Sequence, residues 1–423
     1  MFVKEMGMKN SRVVSVLVGL GTFLGMFHAG YRVSAQAARE GVWLEVNNLR
    51  CVMTNYGVLG QNVQKISHGV LWDTAPDYSF LLGSGIWVGA GIMNGGELRR
   101  RVFMTYDPLS ASSWAQPSTN VTTTLVSNNA TGVAHFNDAD LEQYDGSASQ
   151  RAAQGFPLGL SIQQIVWLQQ LTAPLQNTIL SRYVVKNVHP ERTLQDAVVA
   201  FVVDPDVGLA SNPQVAAMDD SVKILIRGTT AVAKVLSTAN PTGPFISVAT
   251  IHEGGGTPTI TLFDAQTMPS ENAARYEAIT TGQLQESTER GDVFFALAGP
   301  SRDVIPGDSI IVNVVLLLSE VDSPENDARL LDLVDYIKGQ VTSVSTESSP
   351  TTTQIYPNPT CGSDYIVVGS PMASGRLQLC DVHGVVRTVP QDVSGRIYIG
   401  DLSTGVYWIT SSNGLRGRFV VTR

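Results

Sequence analysis

Short runs of apolar and β-branched residues recur through the middle of the chain, and Gly, Pro and Asp separate them. Residues 197–203 and 293–298 form continuous runs, whereas residues 179–187 alternate between apolar and polar types. Both patterns are typical of strands, and the continuous runs suit strands buried between two sheets. Long helical patterns do not alternate with these runs, which disfavours a Rossmann or barrel enzyme. We therefore predict an all-β, mostly antiparallel fold with a large β-sandwich body.

Two segments predict helices in this body. Ser323 suits an N-cap, Pro324 the first helical position, and Gly339 follows as a terminator. The apolar residues that fall on one face between them are Leu330, Leu331, Val334 and Ile337. A shorter helical turn is expected at residues 271–278. We expect the longer helix to pack against the sandwich and close the body.

The last part of the chain carries a second β pattern. Six short strand-like runs are separated by turn residues: 364–368, 375–382, 385–389, 396–399, 405–410 and 417–421. Short strands at close spacing with Gly and Asn turns predict a small antiparallel β-sandwich. A Ser/Thr-rich stretch at residues 339–353 precedes it and reads as an exposed linker.

Short motifs in this segment resemble a known family. They are Tyr356, Pro357, Asn358 and Pro359, then Gly384 at the end of Asp-Val-His-Gly, Gly405 and Tyr407 in Gly-Val-Tyr, and Arg418 in the closing Arg-Phe-Val-Val. Together they resemble the type A C-terminal sorting domain of type IX secretion cargo, although that family more often has Lys at the position of Arg418. The resemblance implies an Ig-like β-sandwich that is recognised by the type IX secretion machinery and cut off by its tail-processing peptidase. It also implies a protein that is secreted, or attached to the outer-membrane surface, of a Gram-negative bacterium.

The first residues predict export as well. Lys4, Lys9 and Arg12 precede an apolar run at residues 13–27, and small residues follow at 33–37. This order is typical of a secretory signal peptide, and the run is shorter than the ~20 residues that span a bilayer. We therefore predict a signal peptide at residues 1–37, a body at 38–338, a linker at 339–353 and a sorting domain at 354–423. No transmembrane segment is expected after removal of the signal.

Composition narrows the possible partners. Charged residues make up 15% of the chain, below the roughly one quarter of typical soluble proteins, and the net charge is −9. An acidic chain with few clustered Lys or Arg residues disfavours nucleic-acid binding. Three Cys residues do not form a disulfide framework. Cys361 and Cys380 are candidates for one bridge in the tail, and Cys51 is expected to be a small buried residue.

Carboxylates give the best candidate site. Asp204 and Asp206 lie two residues apart at the end of a predicted buried strand, and Asp219 and Asp220 follow a loop later. Oxygen ligands at this spacing suit Ca²⁺, so we predict a Ca²⁺ site at Asp204, Asp206 and Asp219 and no other cofactor. A solvated turn, in which the Asp side chains bond nearby backbone, is the alternative. His residues at metal-ligand spacing, a nucleophile elbow and a phosphate-binding Gly loop are not found in the sequence.

Glycoside hydrolysis needs two acids across a cleft, often with aromatic platforms. The acids to test first are Glu142, Asp204 and Glu253. The body also has five Trp residues for stacking on sugars: Trp43, Trp72, Trp87, Trp114 and Trp167. Trp87 and Trp167 lie in apolar runs that are typical of a core.

The body also resembles a group of large secreted β-domains that precede such sorting tails and have no assigned activity. The motifs that carry this resemblance lie at residues 84–89, 157–160, 204–208, 298–300 and 306–309. The prediction is therefore a non-enzymatic structural or adhesive surface protein with surface polysaccharide as a candidate partner. The alternatives are a secreted hydrolase of polysaccharide or peptide, and a carbohydrate- or Ca²⁺-dependent binding module.

Overall fold

The computed structural model describes most of the chain after the predicted signal peptide. The described residues are 37–46, 48–61, 69–73, 75–110, 113–126, 129–139, 147, 149–150, 156–169, 177–209, 220–253, 255–282, 288–345, 355–356, 360–361, 365–368, 377–381, 386–389, 396–411 and 416–422. The predicted signal peptide and most of the predicted linker lie outside these ranges.

Strands form most of the body. They are β1 (Gly41–Val46), β2 (Leu49–Thr54), β3 (Val70–Trp72), β4 (Tyr78–Asn94), β5 (Glu97–Met104), β6 (Gln116–Pro117), β7 (Thr122–Val126), β8 (Asn129–Asn137), β9 (Leu160–Gln169), β10 (Thr178–Asn187), β11 (Leu194–Leu209), β12 (Asp220–Arg227), β13 (Thr230–Ser237), β14 (Phe245–His252), β15 (Thr259–Phe263), β16 (Thr288–Gly291), β17 (Phe294–Ala298), β18 (Arg302–Val304) and β19 (Ser309–Ser319). Within the described ranges, two helices can be followed over their full length, α1 (Asn272–Thr280) and α2 (Pro324–Ser345).

The body strands form three sheets, in which every strand pair is antiparallel. A ten-stranded sheet has the order β16-β12-β13-β14-β19-β10-β9-β8-β6, with β7 also paired to β8. A six-stranded sheet has the order β15-β17-β11-β4-β5, with β18 also paired to β11. The third sheet has the order β1-β2-β3. The predicted all-β, mostly antiparallel sandwich is confirmed.

The main core lies between the six-stranded and ten-stranded sheets. Odd-numbered residues of β11, such as Phe201, face this core, together with Ile86 of β4 and Tyr183 of β10. Even-numbered residues of β11, such as Val202, face a second core with Tyr276 and other residues of α1. Because both faces of β11 are covered, its sequence reads as a continuous apolar run. β10 keeps one half-exposed face, which explains its alternating sequence.

The predicted start of the longer helix is confirmed, but its predicted end is wrong. α2 begins at Pro324 and continues past Gly339 to Ser345. A Gly in a helix interior costs about 1 kcal/mol relative to Ala, so it weakens a helix without necessarily ending it. Leu333 and Val334 of α2 pack on Val315 and other apolar residues on the outer face of the ten-stranded sheet. The predicted linker therefore begins as helix.

The tail forms its own small sandwich. Its strands are β20 (Ile355–Tyr356), β21 (Thr360–Cys361), β22 (Tyr365–Val368), β23 (Leu377–Asp381), β24 (Val386–Val389), β25 (Arg396–Tyr398), β26 (Gly405–Ser411) and β27 (Arg416–Thr422). One sheet has the order β20-β22-β25 and the other β21-β27-β26-β23-β24. Both sheets contribute to one apolar cluster, through Ile366 and Ile397 on one side and Leu379 and Ile409 on the other. All six predicted tail strands are present; the short β20 and β21 were not predicted.

The backbone of the tail argues against a bridge between its two Cys residues. Cys361 lies in β21 and Cys380 in β23, and β27 and β26 lie between these strands. Strand spacing of about 4.8 Å puts the two Cα atoms roughly 14 Å apart, too far for a disulfide. Cys51 is fully buried in the main core, as predicted. Among the described residues, neither helix combines the length and apolar character needed to cross a bilayer.

Candidate functional site

Three buried carboxyl groups meet where β11 and β12 approach each other. Asp204 and Asp206 lie near the end of β11, and Asp220 is the first residue of β12. Their exposed fractions are 2%, 1% and 0%. We call these three residues the acid cluster. The structure thus brings together two of the residues predicted for Ca²⁺ with Asp220, while Asp219 lies outside the described residues.

Neighbouring groups hold two members of the acid cluster. The hydroxyl of Tyr106 donates a hydrogen bond of 2.7 Å to Asp204 Oδ2. Gly83 lies opposite Asp204 on β4, and a Cβ there would lie 2.5 Å from the Tyr106 ring. Only glycine leaves room for this tyrosine to reach Asp204. The backbone N–H of Val207 donates a bond of 3.0 Å to Asp220 Oδ1.

Burial controls the charge of the acid cluster. Loss of hydration, together with the nearby Asp292, raises the pKa of Asp206 to about 7. Burial also holds the pKa values of Asp204 and Asp220 well above the usual range of a carboxyl, and the other acids raise them further. Two oxygens remain without a hydrogen-bond partner, Asp206 Oδ1 and Asp220 Oδ2. Ionisation of these carboxyl groups is therefore unfavourable unless a positive charge lies close to them.

The acid cluster is not a preformed metal site. Within the ranges that the structure describes, no group of three or more His, Cys, Asp or Glu side chains is arranged to hold a metal ion. The sequence predicted only part of the acid cluster and its surroundings. The two-residue spacing pointed to Asp204 and Asp206, but Tyr106 and Asp292 are about 100 residues away in opposite directions.

A cleft of about 560 Å³ lies next to Asp292. It is lined by residues 262–267 at the end of β15 and by residues 289–293 at the end of β16. Asp292 and Asp264 both line this cleft, and their pKa values are shifted in opposite directions. Burial and the charge of Asp264 raise the pKa of Asp292, whereas hydrogen bonds from Thr267 and Gln266 lower the pKa of Asp264.

A second candidate surface lies on the outer side of the ten-stranded sheet. In β8, β9 and β10 alternate residues are buried, and the residues between them are half-exposed on the opposite face. We call this half-exposed surface of β8, β9 and β10, with the adjoining part of β19 and Glu253 just after β14, the open face. Its described residues in the central rows are Thr131, Val133, His135, Gln163, Ile165, Trp167, Leu180, Arg182, Val184, Glu253 and Ile311.

Strand register places Arg182 one row from Trp167 and the other ionisable and amide groups of these central rows one row beyond Arg182. Trp167 lies opposite Leu180, and Arg182 lies two residues further along β10. Arg182 is paired with Asn313 in register and forms an ion pair of 2.7 Å with Glu253. One row on, Gln163 lies opposite His135. The side chains of Arg182 and Glu253 keep 29% and 18% of their surface exposed, so solvent reaches both.

The five tryptophans do not form an exposed row. Trp72 and Trp87 are buried, and Trp114 is half-buried against the cores. Trp43 on β1 is 48% exposed. The prediction that Trp167 belongs to the core is wrong, because its side of β9 is the open face. Of the acids proposed for hydrolysis, Glu253 lies on the open face, Asp204 lies in the acid cluster, and Glu142 lies outside the described residues.

The residues of the tail motif are described in part. Tyr356 lies in β20, Gly405 and Tyr407 in β26, and Arg418 in β27. The hydroxyl of Tyr407 donates to the carbonyl of Ser403 at 2.9 Å. A tyrosine that bonds to backbone a few residues upstream is typical of Ig-like sandwiches. Pro357, Asn358, Pro359 and Gly384 lie outside the described residues.

No protein-family model matches the chain, and no curated protein matches it either. Among solved structures, a protein assigned as an aldose 1-epimerase from Escherichia coli K12 aligns with a TM-score of 0.32 and 9% identity over 67% of this chain and 100% of its own. A polysaccharide lyase aligns with a TM-score of 0.32 and 11% identity over 91% of this chain and 47% of its own. A family GH92 α-mannosidase from Bacteroides thetaiotaomicron also has a TM-score of 0.32, with 11% identity over 73% of this chain and 35% of its own. Likeness at this level indicates neither a shared activity nor a shared site.

Proposed function

We propose that the protein is an exported β-sandwich that binds polysaccharide on its open face. The observation that carries the proposal is the half-exposed Trp167 on the same face of the sheet as the solvent-accessible ion pair of Arg182 and Glu253. An aromatic ring provides an apolar platform for the face of a sugar, and its geometry restricts the pose. Charged and amide side chains around it can donate to and accept from hydroxyl groups. Gln163 and His135 supply such groups one row beyond Arg182, on the side away from Trp167.

The open face favours binding over hydrolysis. Two-carboxylate hydrolysis needs acids about 5–9.5 Å apart on either side of a glycosidic bond. Among the described residues of the open face, Glu253 is the only carboxylate, and Arg182 pairs with it. An adhesive or binding role at the cell surface therefore fits this face better than catalysis.

Binding can be tested with the full-length protein and a panel of soluble and insoluble polysaccharides. Replacement Trp167→Ala removes the proposed platform, and we expect at least about tenfold weaker binding, as for truncated aromatic anchors in other interfaces. Arg182→Met should weaken binding as well. Trp43→Ala is the matched control, because Trp43 is also exposed but lies on a different sheet. Equal binding by the wild type and Trp167→Ala would refute the proposal.

We also propose export by the type IX route. The motif residues and the signal-peptide pattern support it, and a small sandwich with a Tyr407–Ser403 bond is compatible with a separately recognised tail. In a host with this secretion system, a chain ending at Thr353 should accumulate in the periplasm. A control chain with Cys51→Ala, altered far from the tail in sequence, should pass the outer membrane. Unchanged passage of the shortened chain would contradict this route.

A hydrolase is the second candidate, and a specific observation favours it. Asp292 and Asp264 line one cleft and their pKa values move in opposite directions. Such a split is typical of an acid and a base acting as a pair. The test is turnover on glycan and peptide panels, with Asp292→Asn expected to abolish it. Absence of turnover on all substrates would rule against this candidate.

A further inference from the structure

We infer that α2 forms one side of the polysaccharide site and that Tyr336 on this helix is a second aromatic contact for the glycan. The inference rests on the proposed function and extends it, because it adds a subsite and a ligand size to the open face. The ligand that fits is an internal segment of a polysaccharide, several sugars long, rather than one sugar. We call the strip of the ten-stranded sheet between Trp167 and α2 the groove.

The groove joins the open face to α2. Trp167 lies opposite Leu180, and Leu180 lies opposite Val315 of β19. Val315 is buried in the apolar cluster under α2, and the half-buried Leu180 packs against the same cluster. The floor of the groove therefore runs from β9 across β10 and β19 to the helix.

A second row of residues gives the groove a polar group. Arg182 lies opposite Asn313 of β19, and Asn313 lies opposite Ile251 of β14. Ile251 is also buried in the cluster under α2, so this row reaches the helix as well. Arg182 thus lies on a strand between Trp167 and α2, with 29% of its side chain exposed. Its guanidinium group can donate hydrogen bonds to the hydroxyl groups of a glycan in the groove.

Ion pairs show which flank of α2 faces away from the groove. Asp327 pairs with Lys223 and Asp335 pairs with Arg227, and both cations belong to β12. β13 and β14 separate β12 from β19 in the sheet. The flank that carries Asp327 and Asp335 is therefore turned toward β12, and the other flank is turned toward the groove.

Helix geometry puts Tyr336 on the flank toward the groove. An α-helix turns about 100° per residue, so Tyr336 is rotated by about 100° from Asp335 on one side and from Ile337 on the other. Ile337 packs on the sheet, and Asp335 faces β12. Tyr336 therefore projects from the remaining flank, and 52% of its surface is exposed. An exposed aromatic ring beside a groove is suited to contact the face of a sugar.

The width of the groove sets the size of the ligand. β9 and β14 are three strand spacings apart, which amounts to roughly 14 Å at about 4.8 Å each. α2 packs on β14 through Ala249 and Ile251, so about this distance separates Trp167 from the helix. One sugar ring is too small to contact both aromatic side chains across this width. A short run of linked sugars reaches from one to the other.

Competition with fragments of the best-binding polysaccharide tests the size of the site. Partial acid hydrolysis gives monosaccharides and oligosaccharides of increasing length, which compete with the intact polysaccharide for the full-length protein. We expect the longer fragments to compete at least about tenfold more strongly than the monosaccharide, because linked sugars contact Trp167 and Tyr336 at the same time. Equal competition by the monosaccharide would overturn the inference.

Replacement of the tyrosine tests its part in the site. Tyr336→Ala should bind the polysaccharide about tenfold more weakly and should lose most of the advantage of long fragments over the monosaccharide. Tyr398→Ala is the matched control, because Tyr398 is a tyrosine of the tail with 53% of its surface exposed. The control should bind like the wild type. Both variants should melt close to the wild-type temperature, since both side chains are largely exposed.

The outcomes separate this inference from the proposed function. If Tyr336→Ala binds like the wild type while Trp167→Ala binds weakly, α2 is not part of the site and the inference is wrong, but the open face still binds glycan. If Trp167→Ala also binds like the wild type, the proposed function is refuted and the inference fails with it.

Discussion

A single glycine determines how Tyr106 reaches the acid cluster. Gly83→Ala would bring a Cβ within 2.5 Å of the Tyr106 ring, which cannot move without breaking its bond to Asp204. We expect a loss of about 1–3 kcal/mol in the free energy of unfolding. Gly339→Ala is the opposite case, because nothing lies within 4 Å of its added Cβ in α2. It should stabilise by up to about 1 kcal/mol. Urea unfolding of both variants measures the contrast, and equal effects would contradict it.

Asp206 should make stability depend on pH. Its pKa is raised to about 7 in the folded state, so the folded protein holds this proton more tightly than the unfolded chain does. The stabilising contribution is complete below the unfolded pKa of about 4 and is lost as pH rises through 7. In EDTA, Asp206→Asn should therefore gain stability relative to wild type between pH 5 and 8, by at most about 1.4 kcal/mol per pH unit.

The comparison with Asp206→Asn cancels the contribution of His252, which titrates nearby in pH and lies outside the acid cluster. Burial lowers the pKa of His252 to about 4, which makes stability rise with pH from about 4 to 6.5 and opposes the effect of Asp206. His252 is unchanged in both proteins, so its contribution cancels in the difference. A difference in melting temperature that stays constant from pH 5 to 8 would contradict the assignment.

Among the elements, α2 depends on a buried lysine. Lys234 of β13 is 1% exposed and forms ion pairs with Asp322 and Asp327. Lys234→Met would leave these acids without their buried partner. We therefore expect the free energy of unfolding to fall by about 2 kcal/mol or more. Lys223→Met is the control: Lys223 also pairs with Asp327, but its side chain is 44% exposed. It should cost less than about 1 kcal/mol. Equal losses in thermal unfolding would show that burial of the pair is unimportant.

The positions of the strands could be predicted from the sequence, but the elements that pack on each strand could not. The continuous run in β11 predicted burial on both faces, yet α1 covers one of them instead of a second sheet. The end of α2 was predicted wrongly because a local Gly signal cannot report how the rest of the helix packs. The exposure of Trp167 was also missed, since an apolar run does not show which face of a sheet remains open.

At the scale of the whole molecule, sites are assembled by register between distant segments. The pair Asp204 and Asp206 was visible because both lie on one strand. Arg182 and Glu253 meet only because β10 and β14 both pair with β19. No spacing rule in the sequence connects residues so far apart, so the open face could be found only from the fold.

Processing of the exported chain is a further whole-molecule prediction. Mass spectrometry of the exported protein should find an N-terminus at Gln36 or Ala38, after removal of the signal peptide. It should also find that the tail has been removed after Gly339. Strains that lack the tail-processing peptidase provide the control and should retain the tail. An exported form from the normal strain that still ends at Arg423 would show that the tail is a permanent domain.

The most direct test of polysaccharide binding locates the glycan on the molecule. Hydroxyl-radical footprinting of the full-length protein, with and without its best-binding polysaccharide, measures solvent access to single side chains. We expect oxidation of Trp167 to fall several-fold on binding while oxidation of Trp43 stays the same. Unchanged oxidation of Trp167, with protection of Phe263 in the cleft instead, would contradict binding at the open face.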